Sequence, residues 1–123
     1  MEAPLTFEIK SRASGSRARL GVIHTAHGDV ETPGFMPVAT QASVKGLDSA
    51  DLLRLDVQLL IANTYHLSLR PGAEQVAEQG GLHKFMNWPR AISTDSGGFH
   101  VFTLGAAIRD GEGKIADIFP DEA

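Results

Sequence analysis

A chain of 123 residues without cysteine holds one domain at most, and neither a disulfide framework nor a thiolate metal site. No apolar run approaches the ~18 residues of a membrane helix, and Met1-Glu2-Ala3-Pro4 lacks the basic-then-apolar order of a secretory signal, so the expected compartment is the cytoplasm. A net charge of −4 argues against this chain alone wrapping a nucleic-acid backbone.

Phe7-Glu8-Ile9-Lys10 alternates apolar and polar residues and predicts a half-buried strand. Ser11 to Arg17 is small, polar and basic, and reads as a loop. Arg12, Arg17 and Arg19 could reach phosphate, but the composition favours a solvated face. Arg19 to Thr25 and Asp29 to Thr32 flank Ala26-His27-Gly28, which predicts a hairpin with Gly28 supplying the turn conformation. His24 and His27 have metal-like spacing, yet no third ligand is near in sequence, so they read as surface histidines. Pro33-Gly34 ends the hairpin.

Phe35-Met36-Pro37-Val38 predicts a first buried parallel strand, with Phe35 and Met36 in the core. Asp48, with Asp51 three residues on, is a variant capping box that opens a helix striped by Leu47, Leu52, Leu53 and Leu55. Val57 to Ala62 is nearly continuous in hydrophobicity, as a strand covered on both faces should be, and Asn63 sits at its C-terminal end. Pro71 suits the first turn of the next helix and Gly80-Gly81 its stop. Phe85 to Pro89 predicts a second short helix or turn, and Ala91 to Thr94 a third strand. Past Leu104 the chain turns to Gly, Asp, Glu and Lys around a brief apolar island, Ile115 to Phe119, and no element is assigned there.

Two antiparallel strands followed by strand-helix-strand-helix-strand predict an α/β protein with a parallel sheet and right-handed crossovers. The alternation does not choose between an open sheet and a barrel. The stretch from Ile92 to Phe102 is the candidate for the chemistry. A short apolar run leads into Asp95, then Ser96, two glycines (Gly97 and Gly98), and Phe99. An acid at the mouth of a parallel strand, followed by a turn that a Cβ would obstruct, is where α/β folds place their sites. The same four residues, Asp95-Ser96-Gly97-Gly98, are also ordinary turn composition.

Thr94-Asp95-Ser96-Gly97-Gly98-Phe99 stands in register with Glu31 to Val38, Asn63-Thr64-Tyr65-His66-Leu67, Leu69-Arg70-Pro71-Gly72 and Gly81 to Met86. In this order and spacing, from about Phe7 to Leu104, they closely resemble the N-terminal third of the queuine tRNA-ribosyltransferases, or tRNA-guanine transglycosylases, of the bacterial and eukaryotic type. The resemblance implies the opening three strand-helix units of a TIM (β/α)8 barrel, preceded by a small antiparallel sheet. Residues 1–33 would form the antiparallel strands, 34–104 the βα units, and 105–123 an unassigned tail of one domain. The implied reaction exchanges guanine for queuine or its precursor preQ1 at the tRNA wobble position. Its partners would be tRNA and the free base, with a homodimer in the complete enzyme and no membrane.

By this resemblance Asp95 binds the base and transfers a proton, and Phe99 stacks on it. Ser96, Gly97 and Gly98 line the pocket. Asn63 and Val38 match positions near the pocket floor and the ribose, whereas Tyr65 and His66 read as packing residues. His100 departs from relatives that carry Gln there, so it is expected to modulate base choice. The family's nucleophilic Asp, and a structural zinc site of three cysteines and a histidine, lie downstream of everything matched here. No cofactor is therefore expected in this chain, and the isolated chain is expected to be inactive. A non-catalytic binding module or partner subunit is the alternative. The loop also bears some likeness to the nucleophile loop of chymotrypsin-like proteases. Thr94 before Asp95, the lack of a following proline and the βα alternation weigh against that reading.

Overall fold

The structure is a computed structural model that describes residues 5–98, together with the backbone of residues 106–109 and 112–115. Three strands, β1 (Leu5–Arg12), β2 (Arg19–Thr25) and β3 (Gly28–Thr32), form an antiparallel sheet in that order. Gly28, at φ 109, sits in the β2–β3 turn as its position predicts. The alternation in β1 puts Leu5, Phe7 and Ile9 on one face with Ile23 and Val30. That face is only partly covered. Val30, on β3, is buried, and β3 is the strand that meets the parallel sheet. β1 lies at the far edge and is exposed along its whole length, where the sequence pattern predicts half burial.

The second sheet is parallel, in the order β4 (Val38–Ala39), β5 (Leu59–Asn63) and β6 (Ala91–Asp95). The first of these is shorter than its sequence suggests. Pro37 has no N–H for a ladder, so regular pairing starts after it, although its carbonyl still accepts from the Ile61 N–H at 3.0 Å. Phe35 lies outside the strand and is 86% exposed rather than in the core, and Met36 is half-buried.

Helix α1 (Ser49–Arg54) opens with the predicted capping box. Asp48 Oδ1 accepts from the Asp51 N–H at 2.7 Å, and Asp51 Oδ2 from the Asp48 N–H at 3.2 Å. Helix α2 (Thr64–Leu69) follows β5 without a loop and buries Tyr65; the sequence pattern does not single it out. Helix α3 (Ala73–Glu78) begins two residues after Pro71, with Gly72 as its N-cap, so Pro71 stands before the first turn and not in it. It ends as predicted. The Gly80 N–H reaches the Ala77 carbonyl and the Gly81 N–H the Val76 carbonyl, the paired bonds of a Schellman stop. Helix α4 (Leu82–Met86) leads to Trp88 and then to β6. Beyond the parallel sheet, β7 (Ala106–Arg109) and β8 (Glu112–Ile115) pair antiparallel in the region left unassigned from sequence.

One face of the parallel sheet carries Ala39, Leu60, Ala62 and Ile92, and helices cover it. Leu52 from α1, Leu60 from β5 and Trp88 form the core, with Val44, Val57, Met86 and Ile92 packed around them. Trp88 is 2% exposed, and its indole N–H donates to the Ala91 carbonyl at 3.1 Å, so burial leaves no orphan donor. Arg90 donates to Asp56 at 2.8 Å and to the Val57 carbonyl at 2.7 Å, tying the approach to β6 to the start of β5.

The opposite face carries Val38, Leu59, Ile61, Asn63, Ala91, Ser93 and Asp95. The antiparallel sheet covers only its lower part, where Leu5, Ile23 and Val30 line a cavity with Leu59 and Ala91. Two contacts seat that sheet. The Glu31 N–H donates to Gln58 Oε1 at 2.7 Å, and the rings of His27 and His83 stack at 3.6 Å. Towards the C-terminal strand ends the face opens, and Val38 is 60% exposed.

Candidate functional site

The register of β5 and β6 places Asn63 directly beside Asp95 at the C-terminal ends of their strands. Both belong to the open face, with Val38 one strand further out. Two chain segments, 63–64 and 95–97, therefore meet at one carboxylate. Asn63 Nδ2 donates to Asp95 Oδ2 at 2.8 Å. The Thr64 and Gly97 N–H groups donate to Oδ1 at 3.2 and 3.0 Å. The Thr64 hydroxyl, in turn, donates to the Asp95 main-chain carbonyl. Bonds to an ionised acceptor are the stronger kind. A carboxylate offers about four acceptor positions, so these three donors leave one open, on Oδ2.

Asn63 is 6% exposed and is the buried polar residue among the described ones. Its amide nitrogen holds Asp95, while its Oδ1 accepts from the His66 N–H at 3.0 Å and caps α2. One side chain thus links the acid to the helix behind it. Gly97 closes the arrangement from the other side. It sits at φ +67, and a Cβ there would lie 2.8 Å from the Tyr65 Cβ and 2.9 Å from the Tyr65 nitrogen. Both conformation and space demand glycine. Tyr65 accordingly packs, as expected, and its backbone is the surface against which the Asp95 turn rests. Ser96 is exposed, with its Oγ accepting from the Gly98 N–H at 3.3 Å.

Asp95, Ser96, Gly97, Gly98 and Asn63 are thus brought together, with Val38 on the same open face. Phe99 and His100 lie outside the described residues. Thr64 is the participant that the sequence does not single out. The signal for it is Asn63 itself, a capping residue three positions before His66.

The two histidines of the β2–β3 hairpin part company. His24 lies between two carboxylates, with Nδ1 2.8 Å from Asp29 and Nε2 3.3 Å from Glu8. The hydrogen bond to Asp29, then that to Glu8, raises its pKa, and Glu8 is held low first by Lys10 and then by His24. Each acid takes a different ring nitrogen, so the three side chains do not converge on one point. His27 stacks on His83 instead. The His83 Nε2–H donates to the Arg90 carbonyl at 3.0 Å; burial, then the nearness of His27, lowers the His83 pKa. Among the described residues no group of three or more His, Asp or Glu side chains could hold a metal ion. With no cysteine in the sequence, the chain does not supply a zinc site of three cysteines and a histidine.

A family model for queuine tRNA-ribosyltransferase matches residues 14–116. A queuine tRNA-ribosyltransferase of Solibacter usitatus is 61% identical over 101 residues, which are 81% of this chain and 27% of that protein. A putative queuine tRNA-ribosyltransferase of Archaeoglobus fulgidus is 53% identical over 120 residues, 97% of this chain and 29% of its own length. The queuine tRNA-ribosyltransferase of Bacillus subtilis is 54% identical over 103 residues, 84% and 27% respectively. The chain spans between a quarter and a third of these relatives. A match over most of its length, at identities above one half, makes the chain a member of the queuine tRNA-ribosyltransferase family.

Proposed function

We propose that this chain supplies the base-binding, acid/base half of a tRNA-guanine transglycosylase site. The reaction would replace guanine at the tRNA wobble position with queuine or preQ1. The observation that carries this reading is Asp95: a carboxylate at the end of a parallel strand, on the open face, aimed by Asn63, Thr64 and Gly97. The Watson–Crick edge of guanine presents an N1–H and an N2–H side by side, and a carboxylate can accept both and carry a proton to or from the ring. The target base must leave its stack to reach such a group. Ser96 and Gly98 line the same turn, and Phe99 and His100 follow it.

Oδ1 already has two backbone donors and Oδ2 has Asn63. A base that bonds both oxygens can take the open position on Oδ2 but must displace one of the two Oδ1 partners, so Asp95 turns about its side chain as the base enters. Asn63 serves as the pivot and, in this reading, orients the acid more than it contacts the base. The parallel order β4-β5-β6, with helices on one face, agrees with the opening of a (β/α)8 barrel. The second aspartate, which attacks the ribose and holds it covalently, would come from the part of the relatives that this chain does not span, together with the zinc ligands. The complete enzyme would act on tRNA in the cytoplasm as a homodimer. A binding role alone is the second reading, favoured by the nearly filled hydrogen-bonding of Asp95.

The test is Asp95→Asn in an enzyme carrying the full length of the relatives. Exchange of labelled guanine into tRNA should fall by about 10²-fold or more, with the melting temperature little changed. Near-normal exchange in a folded variant would remove Asp95 from the reaction.

A further inference from the structure

We propose that the β1–β2 hairpin tip is an RNA-backbone contact, with Arg12, Arg17 and Arg19 holding phosphate. It rests on the reading above for RNA as the partner, but it concerns a different part of the molecule. The register fixes the geometry. Arg12 is paired directly with Arg19, and a bulge between Ile9 and Ser11 makes it so. Without that extra residue, Ser11 would face Arg19 and Arg12 would face Ala18. Bulges re-aim side chains, and this one sets two arginine residues opposite each other in the ladder.

Like charges directly opposite each other destabilise a strand pair. No ion pair among the described residues offsets the repulsion. Lys10 is already paired with Glu8 at 2.7 Å, and none of the three tip arginines forms an ion pair among the described residues. Arg19 has one further contact, lying over the Phe7 ring at 5.8 Å from its centre. From Ser11 to Gly28 the sequence has no acidic residue, in a chain whose net charge is −4. An anion between the two arginines would convert the repulsion into two favourable pairs.

The tip is also ordered and accessible. The Ala13 N–H donates to the Ala18 carbonyl at 3.0 Å, and the Ala18 N–H to Ser16 Oγ at 3.2 Å, so the loop carrying Arg17 is closed on itself. Every residue from 11 to 20 is exposed. The tip lies at the opposite end of the antiparallel sheet from the His27 turn that stacks on α4. Guanidinium forks match phosphate oxygens in pairs, and three in one short hairpin suit a repeating phosphate backbone. Such contacts give affinity and orientation without reading sequence.

The experiment is anisotropy titration of a labelled tRNA anticodon stem–loop with the full 123-residue chain at several salt concentrations. Size-exclusion chromatography and circular dichroism would establish that the variants match the parent in assembly and secondary structure. Each phosphate contact contributes about 0.7 to 0.9 to the slope of log affinity against log salt. The triple change R12S/R17S/R19S should therefore reduce that slope by about 2 to 3, and R12K/R17K/R19K should keep it. Arg54→Ser, on α1, should leave it unchanged. An unchanged slope in the triple serine variant, no binding by the parent chain, or tighter binding to phosphatidylserine vesicles than to the RNA would each overturn the proposal. Guanine binding separates this from the base-site reading. If Asp95→Asn abolishes guanine binding while the triple serine variant keeps its RNA slope, the tip proposal fails alone. If Asp95→Asn leaves guanine binding intact while the triple variant loses its RNA slope, the tip proposal stands and the base-site reading fails.

Discussion

The two sheets of this chain are built on different physics. The parallel sheet has one face under helices and encloses Leu52, Leu60 and Trp88. The antiparallel sheet is held by its ladder and by surface pairs such as Glu8–His24 and His24–Asp29, and its edge strand β1 is exposed throughout. Exposed ion pairs contribute little, whereas a buried large apolar side chain contributes about 1.5 to 3 kcal/mol. Stability should therefore concentrate in the parallel sheet. The candidate acid sits on that sheet, at the C-terminal end of β6, and the basic hairpin sits on the other. A precisely aimed carboxylate needs the rigid sheet; a phosphate contact does not.

The largest effect that would test this contrast is Trp88→Ala. The ring is nearly enclosed and its N–H is satisfied by Ala91. Its loss leaves a cavity and should cost about 3 to 5 kcal/mol, read from denaturant unfolding. Phe7→Ala, at a 45% exposed position on the edge strand, should cost much less. Comparable losses at the two positions would show that the antiparallel sheet carries more of the stability than its burial indicates.

Gly97→Ala should have a smaller effect on stability and a larger one on the site. A residue at φ +67 is strained once it carries a Cβ, by about 1 to 3 kcal/mol, and this Cβ would also press on Tyr65. The turn must shift, taking the Gly97 N–H away from Asp95 Oδ1. In a complete enzyme the substitution should lower guanine exchange by more than the lost stability explains, with the folded fraction measured alongside. Unchanged exchange would mean that the turn tolerates a side chain and that Asp95 does not depend on it.

How far the sequence reveals this arrangement depends on range. The α1 capping box and the Gly80-Gly81 stop are legible because their partners lie within a few residues. β5 and β6 are legible as short apolar runs. Helix α2 is not, because its cap is one Asn that also ends a strand, and its burial of Tyr65 depends on Gly97, which is distant in sequence. Asp95 stands out by type and by its glycines. Its bonds to Asn63 and Thr64 span more than thirty residues and exist because β5 and β6 pair in one register. Phe35 misleads because an apolar residue beside two prolines reads as core while the prolines limit the ladder. The Arg12–Arg19 pairing is hidden for a similar reason: a bulge sets it, and the local pattern does not announce one.

The smallest effect is a pH dependence that differs between the sheets. His24, on the antiparallel sheet, has its pKa raised by Asp29 and Glu8. Its contribution is present in full below the unfolded value of 6.5 and is lost as pH rises through the higher folded value. His83, beside the parallel sheet, has its pKa lowered by burial and by His27. Protonation there favours the unfolded chain, so stability falls as pH drops below 6.5. The two slopes oppose each other and partly cancel in the parent chain. Replacing one histidine at a time separates them. His24→Gln should leave a chain whose melting temperature rises more steeply from about pH 5 to 8, and His83→Gln one whose melting temperature falls over the same range. Glu8, held low by Lys10 and His24, loses its contribution only as pH falls below the usual carboxylate range, so it does not disturb this window. Slopes that move in the same direction in both variants would show that at least one of these histidines does not feel the neighbours the structure gives it.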